Sequence, residues 1–251
     1  MSAPNPANQS ASESGLQALQ SDLLHGFHVL DLAGQGTGIA GHLTARLPDA
    51  ETFWAHRWGL GFDEVGPDDL VESDFDLRTM TGSGTCNPTL HIHTQIYRVR
   101  PDINCIVHTH AANIVALSAA GSPMLPVTQT GCYYFDDVCT FDEFDGIVLD
   151  TREGDAIAAA LADNHAVLLK HHGLITVGDT VGDAVIGATV LDYACGVQLK
   201  AMAAGHVDTL PEAAARQAKG FVRSPDTVAL RWAHQKRKAR RARPDFLRDL
   251  D

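Results

Sequence analysis

The chain has 251 residues, of which 45% are apolar, and its formal net charge at pH 7 is −12. Such a chain can bury one sizeable core, and no segment predicts a membrane span or a secretory leader. The acidic balance argues against nucleic acid as the main ligand, because phosphate binding requires positive charge. The five cysteines are odd in number and lack a CxxC spacing, which predicts reduced thiols and a cytoplasmic location.

Composition divides the chain into three regions. Residues 1–14 predict a disordered tail, residues 15–210 a folded domain, and residues 211–251 a basic helical extension. From Arg231 onward there are 8 basic and 3 acidic residues, which leaves 11 basic and 28 acidic residues before it. The extension could be a solvated helical face, an arm on the acidic body of a neighbouring subunit, or a patch for nucleic acid or a membrane.

The first half of the domain alternates between predicted helices and strands. The stretch “GLQALQSDLLHGFHVL” has helical spacing through its leucines, and strands are predicted at residues 41–47 and within “ETFWAHRWGLGF”. A short helical turn and a third strand follow in “GPDDLVESDFD”. Ile92, Ile96 and Val99 fall at i, i+4 and i+7, which predicts a helix that ends before Pro101.

The second half continues this alternation. “NCIVHTHAANIVALSAAG” begins as a strand and becomes a helix, “REGDAIAAALADN” is a helix, and “AVLLK” is a buried strand. “HHGLITVG” is a further strand or a turn, and a long helix follows that Asp179 or Thr180 can cap. This order predicts an α/β or α+β fold around one sheet.

Two histidines, His108 and His110, are one residue apart in a predicted strand. Residues i and i+2 of a strand project from the same face, so both imidazoles can reach one cation at roughly 2.0–2.1 Å. His171 and His172 end a buried strand before Gly173, which permits a sharp turn that leaves an imidazole at the sheet rim. Three such histidines predict an open metal site, and core histidines with protein partners are the alternative.

These residues resemble the class II aldolase/adducin domain over roughly residues 15–205. Its members carry His-x-His after an “RPD” turn and “[N/H]HG” further along, and here the blocks read “YRVRPDINCIVHTH” and “LLKHHGLITVGDTVGDAV”. The resemblance implies a three-layer α/β/α fold around a single mainly antiparallel sheet, one divalent metal ion (Zn2+, Mn2+ or Fe2+) and a homotetramer. By position the metal ligands would be His108, His110 and His172, and His171 stands where the family often has Asn or His.

The sequence departs from the resemblance at the acid/base residue of the aldolases. Those enzymes have a metal-binding glutamate nineteen positions before the first histidine of the pair, and Thr89 occupies that position here. A threonine hydroxyl is no general base near neutral pH without an activating partner. His91 or His93 could substitute, and because they lie about 200° apart on a helix only one would face the metal. Family position favours His93, for which a structural role is the alternative.

Other positions of the family differ as well. Aldolase relatives donate a proton from a downstream tyrosine, for which Tyr133 and Tyr134 are the nearest candidates, although Gln129 or Thr130 aligns more directly. The small hydrogen-bond donors with which family members bind sugar phosphates are replaced here by the imidazole of His42, the indole of Trp58 and Pro88. This predicts that the substrate is a non-phosphorylated carboxylic acid, and a flat, aromatic one is favoured. The predicted substrate-binding residues are His42, Trp58, Asn87, Thr89 and His171.

The combined pattern favours a metal-dependent carbon–carbon lyase that acts on a small hydroxy or oxo carboxylic acid. Decarboxylation fits better than retro-aldol cleavage, because it produces an enolate without a base. One alternative is a non-haem Fe(II) oxygenase of an aromatic 2-oxo acid, since three neutral histidines with open positions resemble such iron sites. Another is a non-catalytic adducin-like association module. We expect neither nucleic acid nor membrane as a partner.

Overall fold

A computed structural model describes residues 6–143, 151–248 and 250 of the chain. Its strands are β1 (His42–Ala45), β2 (Thr52–His56), β3 (Leu70–Asp74), β4 (Thr79–Thr81), β5 (Cys105–Thr109), β6 (Val138–Phe141), β7 (Ala166–Leu169) and β8 (Gly173–Gly178). Its α-helices are α1 (Pro6–Leu32), α2 (His91–Val99), α3 (Ala112–Ala119), α4 (Thr151–Leu161), α5 (Val181–Ala203), α6 (Glu212–Val222), α7 (Pro225–Ala242) and α8 (Pro244–Leu247). Short 3-10 helices span Pro67–Asp69, Pro88–Leu90 and Gly131–Tyr134.

The strands form one sheet in the order β4-β3-β2-β1-β5-β8-β7-β6. Within the described residues, neighbouring strands are antiparallel except for β6 and β7, which run parallel. The predicted single, mainly antiparallel sheet is therefore confirmed.

Helices cover both faces of this sheet. Successive residues of a strand point to opposite faces, so Val107 packs with the apolar cluster that includes Phe27 of α1, whereas Ile106 packs with Ile96 of α2 and Ile157 of α4. Helices α5 and α7 also contribute to the first cluster. The predicted three-layer α/β/α architecture is confirmed.

Most predicted elements have the expected positions. Helix α2 ends at Val99, two residues before Pro101. Thr180 caps α5 by accepting a hydrogen bond from the backbone of Asp183 at 3.1 Å, whereas Asp179 accepts one from the side chain of Asn104 at 2.9 Å. No helix in the described part of the chain has both the length and the apolar character needed to cross a bilayer.

The first helix begins earlier than predicted. Helix α1 starts at Pro6, so residues 6–14, which we predicted to belong to a disordered tail, are helical. A proline fits the first helical position because the N–H that it lacks would have no partner inside the helix. The rest of the predicted tail, residues 1–5, lies outside the described residues.

Helices α6 to α8 lie in the basic C-terminal region, and α7 packs on α1 of the same chain. Two ion pairs join these helices, Lys236 with Asp22 at 2.9 Å and Arg243 with Asp31 at 2.7 Å. These cations of the extension therefore pair with carboxylates of their own chain.

Candidate metal centre

Three imidazoles meet where β5 ends and β8 begins. His108 lies in β5, His110 follows its last residue, and His172 precedes the first residue of β8. Their candidate ligand nitrogens lie within 4.8 Å of one another. The ring centroids of His108 and His110 are 5.0 Å apart, and each of these rings is 4.8 Å from that of His172. We call these three side chains the histidine cluster.

Gly173 permits the close approach of the two strands at this point. A Cβ atom at residue 173 would lie 2.2 Å from the carbonyl oxygen of Thr109 and 3.1 Å from Cδ2 of His110. The sharp turn that we predicted at the glycine lies instead at His171, whose φ is 60°. Gly173 is therefore needed for the space that it leaves and not for an unusual backbone angle.

A backbone carbonyl fixes the orientation of the central imidazole. Nδ1 of His108 donates a hydrogen bond to the carbonyl oxygen of Leu174 at 2.9 Å, so Nε2 carries the free lone pair. This nitrogen lies 3.2 Å from Nε2 of His110. Two nitrogens on one metal at roughly 2.1 Å would be about 3.0 Å apart in an octahedron and about 3.4 Å apart in a tetrahedron. The residues present thus fit a divalent metal.

Burial keeps the three imidazoles neutral. Burial, and then the neighbouring rings of His172, His42 and His110, hold the pKa of His108 well below its usual range. Burial and the nearby His110 lower the pKa of His172 to about 4, and burial lowers the pKa of His110 as well. Neutral imidazole is the form that binds metals, so the site requires no proton release near neutral pH.

Three of the predicted substrate-binding residues form a hydrogen-bonded chain beside the cluster. The Thr89 hydroxyl lies 2.9 Å from Nε2 of His42 and 2.8 Å from Oδ1 of Asn87. His42 pairs with His108 across β1 and β5, and their ring centroids are 5.2 Å apart. We call these residues the Asn87–Thr89–His42 chain.

His93 and His91 have different surroundings. His93 is fully buried, and its Nδ1 lies 2.8 Å from the Thr44 hydroxyl, which also contacts the Tyr97 hydroxyl at 2.8 Å. Its ring centroid lies 5.5 Å from that of His42, so it packs against the Asn87–Thr89–His42 chain. His91 is partly exposed at the start of α2, and among the described residues no ring contact joins it to the histidine cluster. These positions favour a structural role for His93.

The two predicted catalytic tyrosines lie elsewhere in the core. Tyr133 donates a hydrogen bond to Asp183 of α5 at 2.8 Å. The Tyr134 hydroxyl packs directly on Gly187 of α5, where a Cβ atom on residue 187 would lie 2.2 Å from the hydroxyl oxygen. Burial raises the pKa of both phenols. Both are buried against α5, and their proton-donor role remains a prediction.

Trp58 and His171 are exposed. Half of the Trp58 surface is accessible, and its backbone N–H donates to the carbonyl oxygen of Thr85 at 2.7 Å. His171 points outward from the turn before β8, and its backbone N–H donates to the Ser118 hydroxyl at 3.3 Å. Their substrate-binding roles remain predictions.

One functional contact had no signal in the sequence. The Leu174 carbonyl that orients His108 belongs to the main chain, and every residue carries such a group. Only the antiparallel register of β5 and β8, with Thr109 opposite Leu174, brings it within reach of His108.

Comparison with known families identifies the domain. The family model described as Class II Aldolase and Adducin N-terminal domain matches residues 21–199. The chain belongs to this family. The fold and the paired histidine blocks of the sequence agree with that membership.

Two relatives and one solved structure show the range of proteins that the chain resembles. It is 38% identical over 192 residues to “Decarboxylase NovR” of Streptomyces niveus, covering 75% of this chain and 71% of the relative. It is equally similar to a protein of Streptomyces roseochromogenus subsp. oscitans named “4-hydroxy-3-prenylphenylpyruvate oxygenase/4-hydroxy-3-prenylbenzoate synthase”, covering 75% of this chain and 69% of that one. The structure of an L-fuculose 1-phosphate aldolase from Glaciozyma antarctica PI12 matches with a TM-score of 0.85 at 26% identity, over 98% of this chain and 96% of that chain.

Proposed function

We propose that the protein is a divalent-metal-dependent lyase that cleaves a carbon–carbon bond in a small, non-phosphorylated hydroxy or oxo carboxylic acid. The observation that carries this proposal is the convergence of three neutral imidazoles within 4.8 Å at the end of the sheet. The family, and the decarboxylase name of one relative, support a reaction of the lyase type.

His108, His110 and His172 would hold the metal. When bound, a divalent cation stabilises negative charge that develops on oxygen atoms of the substrate. The Leu174 carbonyl keeps the Nε2 lone pair of His108 directed at the site, and burial keeps each ring in its neutral form.

Decarboxylation is the favoured reaction because the site lacks a carboxylate base at the position of the aldolase glutamate. Thr89 occupies that position, and its hydroxyl proton is already donated to Asn87. When the acid has a carbonyl group β to its carboxylate, loss of carbon dioxide moves the electron pair of the broken bond onto that carbonyl as an enolate, so no proton has to be removed first. Retro-aldol cleavage would need a base that these residues do not supply.

An oxygenase that acts on an aromatic 2-oxo acid is the second candidate. The name of the Streptomyces roseochromogenus relative favours it, as does a ligand set made only of imidazoles with coordination positions left open. The two reactions differ in their metal and in their use of dioxygen.

Metal content and oxygen uptake together test the proposal. The protein would be purified without oxygen, its metals measured by elemental analysis, and carbon dioxide release followed alongside oxygen consumption with hydroxy and oxo acids. We expect about one zinc or manganese ion per chain and carbon dioxide release without oxygen uptake. Iron with equimolar oxygen uptake would favour the oxygenase, and a chain without metal would favour the association module.

We also propose a homotetramer with a cytoplasmic location. Exposed apolar side chains, among them Trp58, Tyr193 and Leu230, offer surface for subunit contacts. The five cysteines are free thiols, as expected in a reducing compartment. Light scattering coupled to size exclusion measures the mass, and a monomer would contradict the first of these two proposals.

A further inference from the structure

The directions of the hydrogen bonds in the Asn87–Thr89–His42 chain follow from atoms with fixed roles. The backbone N–H of Thr89 can only donate, and it lies 3.0 Å from the side-chain atom of Asn87, so that atom is the carbonyl Oδ1 and not the amide nitrogen. The Thr89 hydroxyl lies 2.8 Å from the same oxygen. Because Oδ1 can only accept, the hydroxyl donates its proton to Asn87.

The same logic fixes the tautomer of His42. The Thr89 oxygen has no proton left to offer, so it accepts from Nε2 of His42 at 2.9 Å. His42 therefore carries its proton on Nε2, and Nδ1 is a bare acceptor. That nitrogen is buried and has no hydrogen-bond partner among the described residues. The Thr89 oxygen keeps one unused lone pair.

Thr89 is the accessible end of this chain. His42 is 3% exposed and Asn87 is 7% exposed, whereas Thr89 is partly exposed. The ring of His42 separates Thr89 from the histidine cluster, because it contacts His108 on one side and the Thr89 hydroxyl on the other. A ligand that extends from the cluster past the His42 ring to the partly exposed Thr89 therefore meets an acceptor there and no donor.

We propose that Thr89 is a specificity-determining residue that accepts a hydrogen bond from a substrate hydroxyl, so that the site prefers an acid with a hydroxyl at the carbon next to Thr89 over the same acid with a carbonyl there. The carbonyl that takes up the electron pair in decarboxylation is a separate group of the substrate. This inference rests on the proposed function, because it assumes that a carboxylic acid binds at the histidine cluster. A hydroxyl donates to the Thr89 oxygen, whereas a carbonyl oxygen in the same place would face its lone pair. The fixed direction also disfavours a phosphate oxygen, which is an acceptor too.

Paired ligands measure this selection. Mandelate and benzoylformate differ only in hydroxyl against carbonyl at one carbon, and benzoylformate cannot enolise. Calorimetric titration of the zinc-loaded full chain gives the ratio of their dissociation constants. Zinc contributes to the affinity of each acid equally in all variants. A change in the ratio of the two dissociation constants between variants therefore reports the contact at residue 89.

Three substitutions separate the possibilities. Thr89→Val keeps the shape and removes the acceptor, so the preference for mandelate should fall about 3- to 10-fold. Thr89→Ser keeps the hydroxyl and should retain the wild-type ratio. Asn87→Ala leaves the Thr89 proton free to point toward the ligand, so the ratio should shift toward benzoylformate.

The tautomer of His42 provides a readout without any ligand. Long-range proton–nitrogen correlation NMR should find the His42 proton on Nε2 in the wild type and in Thr89→Ser. In Thr89→Val this nitrogen loses its acceptor, and its resonance should move.

A proton on Nδ1 of His42 would overturn the inference, as would equal changes in the affinities of both acids in Thr89→Val. If zinc binds but neither acid binds to any variant, the substrate selection fails, whereas the proposed function fails only if no hydroxy or oxo acid releases carbon dioxide. Tight binding of both acids with an unaltered ratio contradicts the selection alone.

Discussion

Two buried histidines, His25 and His108, show how differently this chain uses the same residue. His25 of α1 donates from Nδ1 to the backbone oxygen of Ser21 at 2.7 Å and accepts at Nε2 from Arg240 of α7 at 3.1 Å. His108 donates from Nδ1 to Leu174, but its other nitrogen faces a second imidazole nitrogen.

The contact between α1 and the end of α7 contains two ion pairs within the chain. Lys236 pairs with Asp22 and Arg243 pairs with Asp31. At the histidine cluster Nε2 of His108 lies 3.2 Å from Nε2 of His110, so an imidazole nitrogen faces another imidazole nitrogen. Ion pairs and backbone hydrogen bonds within the chain contribute stability, whereas imidazole nitrogens that converge on one point are arranged as metal ligands are.

The largest effect is expected from substitutions within the histidine cluster, and it concerns metal affinity. His108→Ala or His110→Ala removes a proposed ligand, and metal affinity should fall by more than about 100-fold, because even the partners behind metal ligands are worth 10- to 100-fold. Competition with a chelator measures the affinity, and circular dichroism checks the fold.

His25→Ala is the matched control, since it removes a buried histidine of the α1–α7 contact. It should lower the free energy of unfolding by about 1–2 kcal/mol and leave metal affinity unchanged. Equal metal loss in both kinds of variant would show that the effect comes from general destabilisation.

The next effect concerns the space between β5 and β8. In Gly173→Ala the new methyl group would collide with the Thr109 carbonyl, and we expect a loss of about 2–4 kcal/mol in the free energy of unfolding, together with weaker metal binding. Gly220 of α6 has open space around its Cβ position, so Gly220→Ala should be neutral or stabilising by up to about 1 kcal/mol. Urea unfolding of both variants measures the difference, and equal effects would refute the steric account.

Sequence patterns predicted these regions unevenly. The His-x-His pair was predictable because a strand has a period of two, and one sheet with helices followed from the order of the elements, whereas the three layers were implied by the family resemblance. The sequence pointed to Gly173 as the residue that permits a turn, but in the structure the glycine leaves room for the Thr109 carbonyl. Only the register of β5 and β8 reveals this steric role. The contact of Tyr133 with Asp183 of α5 depends on the path of the chain after α3, which no local pattern indicates.

A third buried histidine, His56, extends the comparison, because its low pKa makes the free energy of unfolding depend on pH. Its ring packs on Phe27 at 4.9 Å, and burial, only partly offset by a hydrogen bond with the Leu60 backbone, lowers its pKa to about 4. The unfolded chain takes up this proton near pH 6.5, so the stabilisation is present above that pH and is lost as the pH falls toward 4.

Between pH 7 and pH 4.5, His56 should account for about 2 kcal/mol of the stability lost by metal-free protein. His56→Leu should reduce the pH dependence by that amount in urea unfolding with a chelator present. The same pH dependence in both proteins would contradict the assignment to His56.

The smallest effect belongs to the ion pairs of the α1–α7 contact. Lys236→Ala removes a partly exposed pair and should cost less than about 1 kcal/mol at low salt, because solvent screens the charges. The cost should shrink further at 1 M salt. A loss of several kcal/mol that does not respond to salt would show that Lys236 acts through packing.

X-ray absorption at the metal edge tests the central claim most directly, since it reports the atoms bound to the ion in the intact protein. With one equivalent of zinc bound, the account predicts three imidazole nitrogens at about 2.0–2.1 Å, with lighter scatterers from solvent completing the shell. Fewer than two imidazoles, or sulfur ligands from the cysteines, would contradict the histidine cluster as the metal centre.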